Sequence, residues 1–231
     1  MLVSVAWSRV KSNAGLKIVL TLVLNPLVYL PYYFFQRHHF FPAIAMPQGF
    51  VDRMIPFSSS AVWFYLSIYL LMPLAPLLMH RKEQLIRYTA GILLISLAAD
   101  TVFFFWPTFC PRPPVANTGA LYRSLVAIDN PFHAFPSLHA AFAVYTALCA
   151  QISFRELQIR WIAPAAIWIW TFLILYATLA TKQHVTADIA AGSLLATAIY
   201  FCVFAQRAAD SIKKLFPATS PCPATTNSTP V

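Results

Sequence analysis

Long apolar runs bounded by basic residues divide the chain. No charged residue stands between Lys17 and Arg37, and none occurs in 54–79, 161–181 or 189–206. Each run is close to the ~20 apolar residues needed to cross the ~30 Å hydrocarbon core of a bilayer. A fifth run, 130–154, has no ionisable group beyond two histidines apart from its Tyr and Cys, and a sixth, roughly 88–108, is interrupted by the charge of Asp100 alone. Inside a bilayer the backbone must satisfy its own hydrogen bonds, so apolar runs of this length are read as helices. The pattern predicts six spans, at 18–36, 58–79, 88–108, 136–153, 161–181 and 185–206. The fold class is therefore an all-α polytopic membrane protein. The short loops at 80–87 and 154–160 make successive spans antiparallel neighbours.

The first run has some features of a secretion signal, because "AIA" at 43–45 resembles a cleavage site. Apolar cores of signal peptides are about 7–15 residues long. This run is longer, contains Pro26 and Pro31, and is followed by "RHH" before the small residues. It is expected to remain as an anchor. Three regions follow: an N-terminal segment 1–17, a six-span domain 18–206 and a tail 207–231. Residues 1–14 mix apolar and basic positions and are expected to lie along the inner membrane surface. Pro56 and the serines after it suit a helix entry. The longest internal loop, 109–135, contains "PRPPVANTG", which proline excludes from regular helix. The last residues, "FPATSPCPATTNSTPV", read as disordered.

Composition supports this reading. Hydrophobic residues make up 59% of the chain and charged residues 10%, against about 25% charged in an ordinary soluble domain. The formal net charge of +9 would suit nucleic acid, but its distribution does not. Six spans place Arg9, Lys11, Lys17, Arg81, Lys82, Arg87, Arg155, Arg160, Arg207, Lys213 and Lys214 on one side. Arg37, Arg53, Arg112, Arg123 and Lys182 fall on the other. The basic excess marks the cytoplasmic side, with both termini there, and no nucleic-acid partner is expected. The Asn-Ser-Thr site at 227–229 is then cytoplasmic and is discounted as a glycosylation acceptor. Of the cysteines, Cys110 alone is placed outside, so no disulfide framework is expected.

Polar residues gather at the outer ends of the spans. "FPSLHAAF" begins the fourth span with Ser137 and His139, and "TKQHVTADIAAG" begins the sixth with Lys182, His184 and Asp188. Ionisable groups in or beside spans are functional candidates, because burying them unpaired is expensive. His184 and Asp188 are at i and i+4 on one helix face. The carboxylate can accept from Nδ1–H of His184 and leave Nε2 with a free lone pair, as a base or nucleophile. His139, on another helix, can face it and protonate a leaving oxygen. The backbone N–H groups after Pro136, among them that of Leu138, with the Ser137 hydroxyl, form an anion site. Arg112, Lys182 and Arg123 supply positive charge. This constellation asks for a phosphate.

On these residues the chain resembles the type 2 phosphatidic acid phosphatase superfamily, six-span enzymes of lipid phosphates related to haloperoxidases. Its motifs are K-x6-R-P, P-S-G-H and S-R-x5-H-x3-D. They match here at Arg112-Pro113, at "PSLH" (136–139) and at "HVTAD" (184–188). The resemblance implies His184 as nucleophile, Asp188 as its partner, His139 as general acid and Arg112 as phosphate ligand, with no metal and no cofactor. The partner it implies is a membrane lipid phosphate or phosphodiester. The localisation it implies is the plasma membrane, in a bacterium the inner membrane, with the site facing the periplasm or outside. Three positions depart from the pattern: Phe105 stands for the first-motif lysine, Leu138 for the glycine, and Ala177-Thr178 for Ser-Arg. "FPSLH" with "TKQH" is more similar to the branch of inositol phosphorylceramide synthases. Missing cations favour a phosphoryl group of lower charge, as in head-group transfer.

Other readings are blander. A metal site of His139, His184 and Asp188 is a thin ligand set opposed by nearby cations. His133 and the His38-His39 pair read as interfacial polar groups, and His80 is on the wrong side. Asp100 either pairs with a cation or orients a substrate hydroxyl. Gly192 and Ala196 form a small-residue pair suited to helix contact. A lipid transporter is the rival class, but no inverted repeat is visible, and the ionisable cluster is at one interface rather than the midplane.

Overall fold

The structure is a computed structural model that describes residues 2–38, 40–114 and 118–215. His39, and the stretch 216–231 with Cys222 and the Asn-Ser-Thr site, lie outside the described residues. The chain folds into α1 (Leu2–Lys11), α2 (Ala14–Phe35), α3 (Phe50–Met54), α4 (Val62–Leu66), α5 (Ile68–Leu78), α6 (Lys82–Phe105), α7 (Ala120–Ile128), α8 (Leu138–Glu156), α9 (Ile162–Ala180) and α10 (Thr186–Leu215). Two-residue strands β1 (Ile44–Ala45) and β2 (Thr108–Phe109) pair in parallel.

Five helical stretches are long and apolar enough to cross a membrane: Ala14–Phe35, Ser59–Leu78, Lys82–Phe105, Ile162–Ala180 and Thr186–Phe204. They correspond to five of the six expected spans. The remaining expected span, the fourth, is α8, which is as long as α9 at 19 residues but has a more mixed composition of Ala, Thr, Ser, Cys and Gln. Its place explains that. α8 packs against α5, α6, α9 and α10, and Ala140, Ala141, Ala143, Ala147 and Ala150 are buried. A helix enclosed by helices needs small side chains for close packing rather than a lipid-like surface. α2 is the opposite case, with 6% of its apolar window buried.

Two contacts fix the arrangement of the bundle. In α5, Pro76 lacks the N–H that would reach Met72, four residues earlier. The Tyr88 hydroxyl of α6 donates to that free Met72 carbonyl at 2.9 Å. Having spent its proton there, Tyr88 accepts from Thr146 of α8 at 3.1 Å. The second contact joins α8 to α10. A Cβ on Gly192 would overlap the Ser137 carbonyl oxygen and stand 3.3 Å from the Ala140 Cβ. Glycine therefore lets the head of α8 approach α10, as the Gly192–Ala196 pairing anticipated.

At one end of the bundle, α1 is pinned to it. Arg9 pairs with Glu156 at 3.2 Å, Gln84 donates to the same carboxylate at 2.9 Å, and His80 lies 3.4 Å from it. Lys17 donates to the carbonyls of Arg9 (2.7 Å) and Leu77 (2.9 Å). α10 continues to Leu215 rather than ending near 206, and the stretch read as disordered, 216–231, lies outside the described residues. At the opposite end, the 109–135 loop contains α7, an element the proline-rich reading did not anticipate. Its Tyr122 is fully buried and donates to the Thr181 carbonyl at 3.1 Å.

The α8–α10 contact yields a test. Gly192→Ala is expected to lower stability by about 1–3 kcal/mol, the usual cost of overpacking, and to depress any activity of the histidine pair. Gly15→Ala, where an added Cβ meets nothing within 4 Å, should leave the melting temperature in detergent unchanged or slightly raised. Equal behaviour of the two variants would remove Gly192 from its proposed role.

Candidate active site

The site is built where α8 and α10 begin. Ser137 is the N-cap of α8, and its hydroxyl accepts from the Ala140 N–H at 3.2 Å. The N–H groups of Leu138 and His139 come before the first intrahelical bond of α8 and have no helical acceptor. At the head of α10, the buried Asp188 carboxylate accepts from the Val185 N–H at 2.9 Å. It thus caps its own helix from the first turn, where a negative charge also meets the positive end of the helix dipole. The Asp188 carbonyl accepts from the Ser137 N–H at 3.1 Å. One residue thereby closes the turn carrying His184 and ties it to the helix carrying His139.

The two histidine rings face each other with centroids 6.3 Å apart. His184 Nδ1 lies 3.0 Å from the Ala134 carbonyl and 3.5 Å from Asp188 Oδ2. The shorter contact decides the tautomer: a carbonyl can only accept, so Nδ1 carries the proton and Nε2 the lone pair. Asp188, at the outer limit of hydrogen-bond distance, acts on the ring through its charge. This differs from the expected arrangement, in which the carboxylate was the direct partner. Besides the Val185 N–H, its Oδ2 accepts from the Cys110 thiol at 3.5 Å. His139 stacks on Tyr65, with centroids 4.1 Å apart and planes 22° from parallel, and its Nδ1 is 3.4 Å from the Tyr65 hydroxyl. His139 Nε2 is buried with no hydrogen-bond partner among the described residues.

Both histidines line a cavity of about 370 Å³ between α2, α4, α5, α7 and α8. Leu138 lines it as well, as does Asp129. His133 also reaches it; it is buried against Phe103 rather than at an interface.

The cations are committed elsewhere. Arg112 donates to the Asp129 backbone carbonyl, to Asp129 Oδ2 at 3.3 Å and to the Asn130 carbonyl at 3.1 Å. The Lys182 ammonium donates to the carbonyls of Asp52 (2.8 Å) and Ile55 (2.6 Å). Its backbone has φ 56, the left-handed conformation uncommon outside glycine. Arg123 donates to the Thr118 carbonyl at 2.5 Å and does not line the histidine cavity. Asp100 is not brought to the site either; it lines a separate cavity between α2 and α6. Phe105 is 64% exposed at the end of α6, and Thr178 is fully buried. Among the described residues, no group of three or more His, Cys, Asp or Glu could hold a metal ion.

Three residues at the site escaped sequence reasoning. Asp52 is buried and accepts at Oδ1 from both the Thr186 N–H (2.7 Å) and its hydroxyl (2.5 Å), holding the start of α10. Asp129 neutralises Arg112 and accepts from Gln36 at 2.6 Å. Tyr65 shelves His139. A signal existed for the acids: the chain has seven Asp and Glu in all, so each one on the outer side merited a named partner.

A family model described as the PAP2 superfamily matches residues 33–202. No curated protein and no solved structure matches the chain.

Two outcomes are expected from this geometry. Cys110 is 2% exposed, and burial first, then the Asp188 carboxylate, hold its thiol above the ordinary range. A membrane-impermeant thiol reagent should therefore leave Cys110 unlabelled in folded protein and label it after unfolding, whichever side it faces. Asp52→Ala removes the acceptor of two donors at a helix start. It should cost about 1–2 kcal/mol, as lost caps do, seen as a lower melting temperature in detergent.

Proposed function

The chain belongs to the PAP2 superfamily, and from that premise we propose an integral-membrane lipid phosphatase or phosphotransferase that works through a phosphohistidine on His184. The observation that carries this reading is the facing pair of His139 and His184 at the heads of two helices, opening on one cavity. α8 is the fourth of six spans in this reading. The eleven basic residues of the short loops and termini lie in the cytoplasm and the histidines at the outer face.

The chemistry has two halves. His184 Nε2 attacks phosphorus, the P–N bond forms and the bond to the leaving oxygen breaks. His139 Nε2 gives its proton to that oxygen. In the second half, water or an alcohol attacks the phosphohistidine, and His139 takes the proton from the incoming hydroxyl. The Ala134 carbonyl and Asp188 stabilise the positive charge that develops on His184. The free N–H groups of Leu138 and His139 and the Ser137 cap lie at the positive end of α8, where the transferring oxygens gather charge. Arg112 joins them by exchanging Asp129 for phosphate, and Lys182 contributes its field from two residues before the nucleophile.

A second reading, transfer of a phosphodiester head group as in inositol phosphorylceramide synthases, has an observation in its favour. Arg112 is already paired with Asp129, so the site offers little unbalanced positive charge for a dianionic monoester.

The decisive measurement is turnover of a panel of lipid phosphates and phosphodiesters by purified protein, with products read by mass spectrometry. His184→Ala should abolish turnover while the protein stays folded. His139→Ala should lose about 10²–10⁴-fold, least for a leaving group of low pKa. Vanadate should inhibit. Normal turnover by His184→Ala would end the assignment. Added alcohols should divert the wild-type intermediate on the transferase reading, whereas inorganic phosphate as sole phosphorus product leaves hydrolysis.

A further inference from the structure

The cavity between α2 and α6 that holds Asp100 has a volume of about 480 Å³ and shares no lining residue with the histidine cavity. Its α2 wall is Leu27, Pro31 and Phe35, one turn apart, and its α6 wall includes Ser96, Leu97, Asp100 and Phe104. Two polar groups there lack a donor. Asp100 is 8% exposed, and its Oδ1 is buried with no hydrogen-bond partner among the described residues. The ion pairs among those residues join their cations to other acids. The second group follows from Pro31, which stands inside α2 and lacks the N–H that would reach the Leu27 carbonyl four residues earlier. At Pro76 the Tyr88 hydroxyl fills the same kind of gap. At Pro31 no side chain does so among the described residues. The neighbouring hydroxyls have spent their protons, Ser96 on the Ile92 carbonyl (3.0 Å) and Thr101 on the Leu97 carbonyl (2.7 Å).

Both open groups can accept, so an occupant must bring a donor. The walls say from where. Toward the end of α6, Phe104 packs against Phe35, Phe40 and Phe41, with ring centroids 6.0, 4.9 and 6.0 Å away, and this aromatic cluster closes the cavity from water. On the flank, Leu27, Leu97 and Phe105 are each more than half exposed, so the way in is through lipid. The 24 residues of α6 span ~36 Å against the ~30 Å hydrocarbon core. Asp100, ~7.5 Å before the last residue of α6, therefore lies just inside the hydrocarbon boundary. The volume is within the ~300–1,000 Å³ usual for small-molecule sites, which are mostly apolar with a few placed polar groups. We propose that this cavity binds an uncharged lipid alcohol, its hydroxyl set between the Asp100 carboxyl and the Leu27 carbonyl and its hydrocarbon body against the apolar walls. A hydroxyl brings one proton for an acceptor and an oxygen that can accept in return. An ammonium brings three donors and a charge that is expensive to carry through hydrocarbon. The site is independent of the histidines and stands whether or not they are catalytic.

The test varies the polar end of one probe. The full-length protein in nanodiscs is given three photoactivatable lipids that share a single alkyl chain and end in a hydroxyl, a methoxy or an ammonium group. Labelled peptides are read by mass spectrometry. In wild type the alcohol should label the 27–35 and 93–105 segments, and the ether and the ammonium should label them about tenfold less. Asp100→Leu should erase the preference for alcohol over ether. Asp100→Asn should keep it, because the amide has the same shape and both accepts and donates. Leu94→Ala, on the same helix but outside the cavity, is the control and should match wild type. Unlabelled hexadecanol and dioleoylglycerol are the two competitors, and displacement of the alcohol probe by either upholds the site. Equal labelling by alcohol and ether in wild type overturns the proposal, as does failure of both competitors. A preference for the ammonium that disappears in Asp100→Asn would make this a cation site instead. Disulfide cross-linking of Leu97→Cys between copies, with no labelling by any probe, would make it an interface between chains. If Asp100→Leu does not fold, the alcohol-to-ether ratio in wild type and in Asp100→Asn still decides.

Discussion

The head of α8 meets α10 where Gly192 presents no side chain to the Ser137 carbonyl. Everything at the candidate site follows from that approach. It lets the Ser137 N–H reach the Asp188 carbonyl at 3.1 Å. It brings the Ala134 carbonyl to His184 and sets two imidazoles from different helices with centroids 6.3 Å apart. A side chain at 192 would separate the helices before it touched either histidine. In a membrane there is little hydrophobic drive for helices to associate, and close packing of small residues takes its place. The alanines of α8 and the glycine of α10 thus serve the site by being small.

A second constraint is that polar groups remote from water need partners. The bundle meets it largely with backbone carbonyls. Lys17 ties α2 to the ends of α1 and α5, Lys182 ties the turn before His184 to α3 and the residue after it, and Arg112 reaches carbonyls at 129 and 130. Each cation thereby joins elements distant in sequence. Lys182 was expected to face phosphate, but its Nζ fastens Asp52 and Ile55 while Asp52 fastens Thr186. The loop bearing His184 is held from both directions, which is what a preorganised histidine would require under the proposed function.

Much of this was legible in the chain and some was not, for identifiable reasons. Charge-free runs located five apolar spans to within a few residues, because lipid demands continuous apolar length. α8 was located by the same absence of charge, although its surface is that of a core helix. The spacing His184–Asp188 reported a shared face but not that Ala134 would outcompete Asp188 for Nδ1, since a backbone carbonyl from another segment leaves no mark in side-chain pattern. The pairing of Arg112 with Asp129 was hidden for the same reason: it depends on how the 109–135 loop folds around α7. Asp100 drew a functional reading as an acid inside a span; it faces a cavity between α2 and α6, apart from the histidine cavity, a placement that depends on how those helices pack and leaves no mark in the sequence.

The departures from the family motifs have a physical consequence under the proposed function. Phe105 points largely to lipid, and Thr178 is fully enclosed while its carbonyl accepts the N–H groups of Gln183 and His184. A guanidinium at 178 would find no room without opening that turn, so the cations absent from the motif cannot simply be put back. What remains near the reacting phosphorus is one arginine balanced by Asp129, and the ends of α8 and α10. Each helix N-terminus is worth roughly half a positive charge, spread over backbone N–H groups that need no counter-ion. Such a field suits a phosphoryl group of low charge better than a dianion. A diester meets that condition at entry, and a monoester meets it by carrying a proton. Under that proposal the choice of acceptor turns on the cavity wall, whose surface is mostly apolar but includes tyrosine hydroxyls, Ser124, Gln36, Asp129 and three histidines. On the transferase reading that wall would seat an alcohol carried on a hydrocarbon chain and limit bulk water at the phosphohistidine, so the features that weaken binding of a dianion would also favour transfer in the second half-reaction.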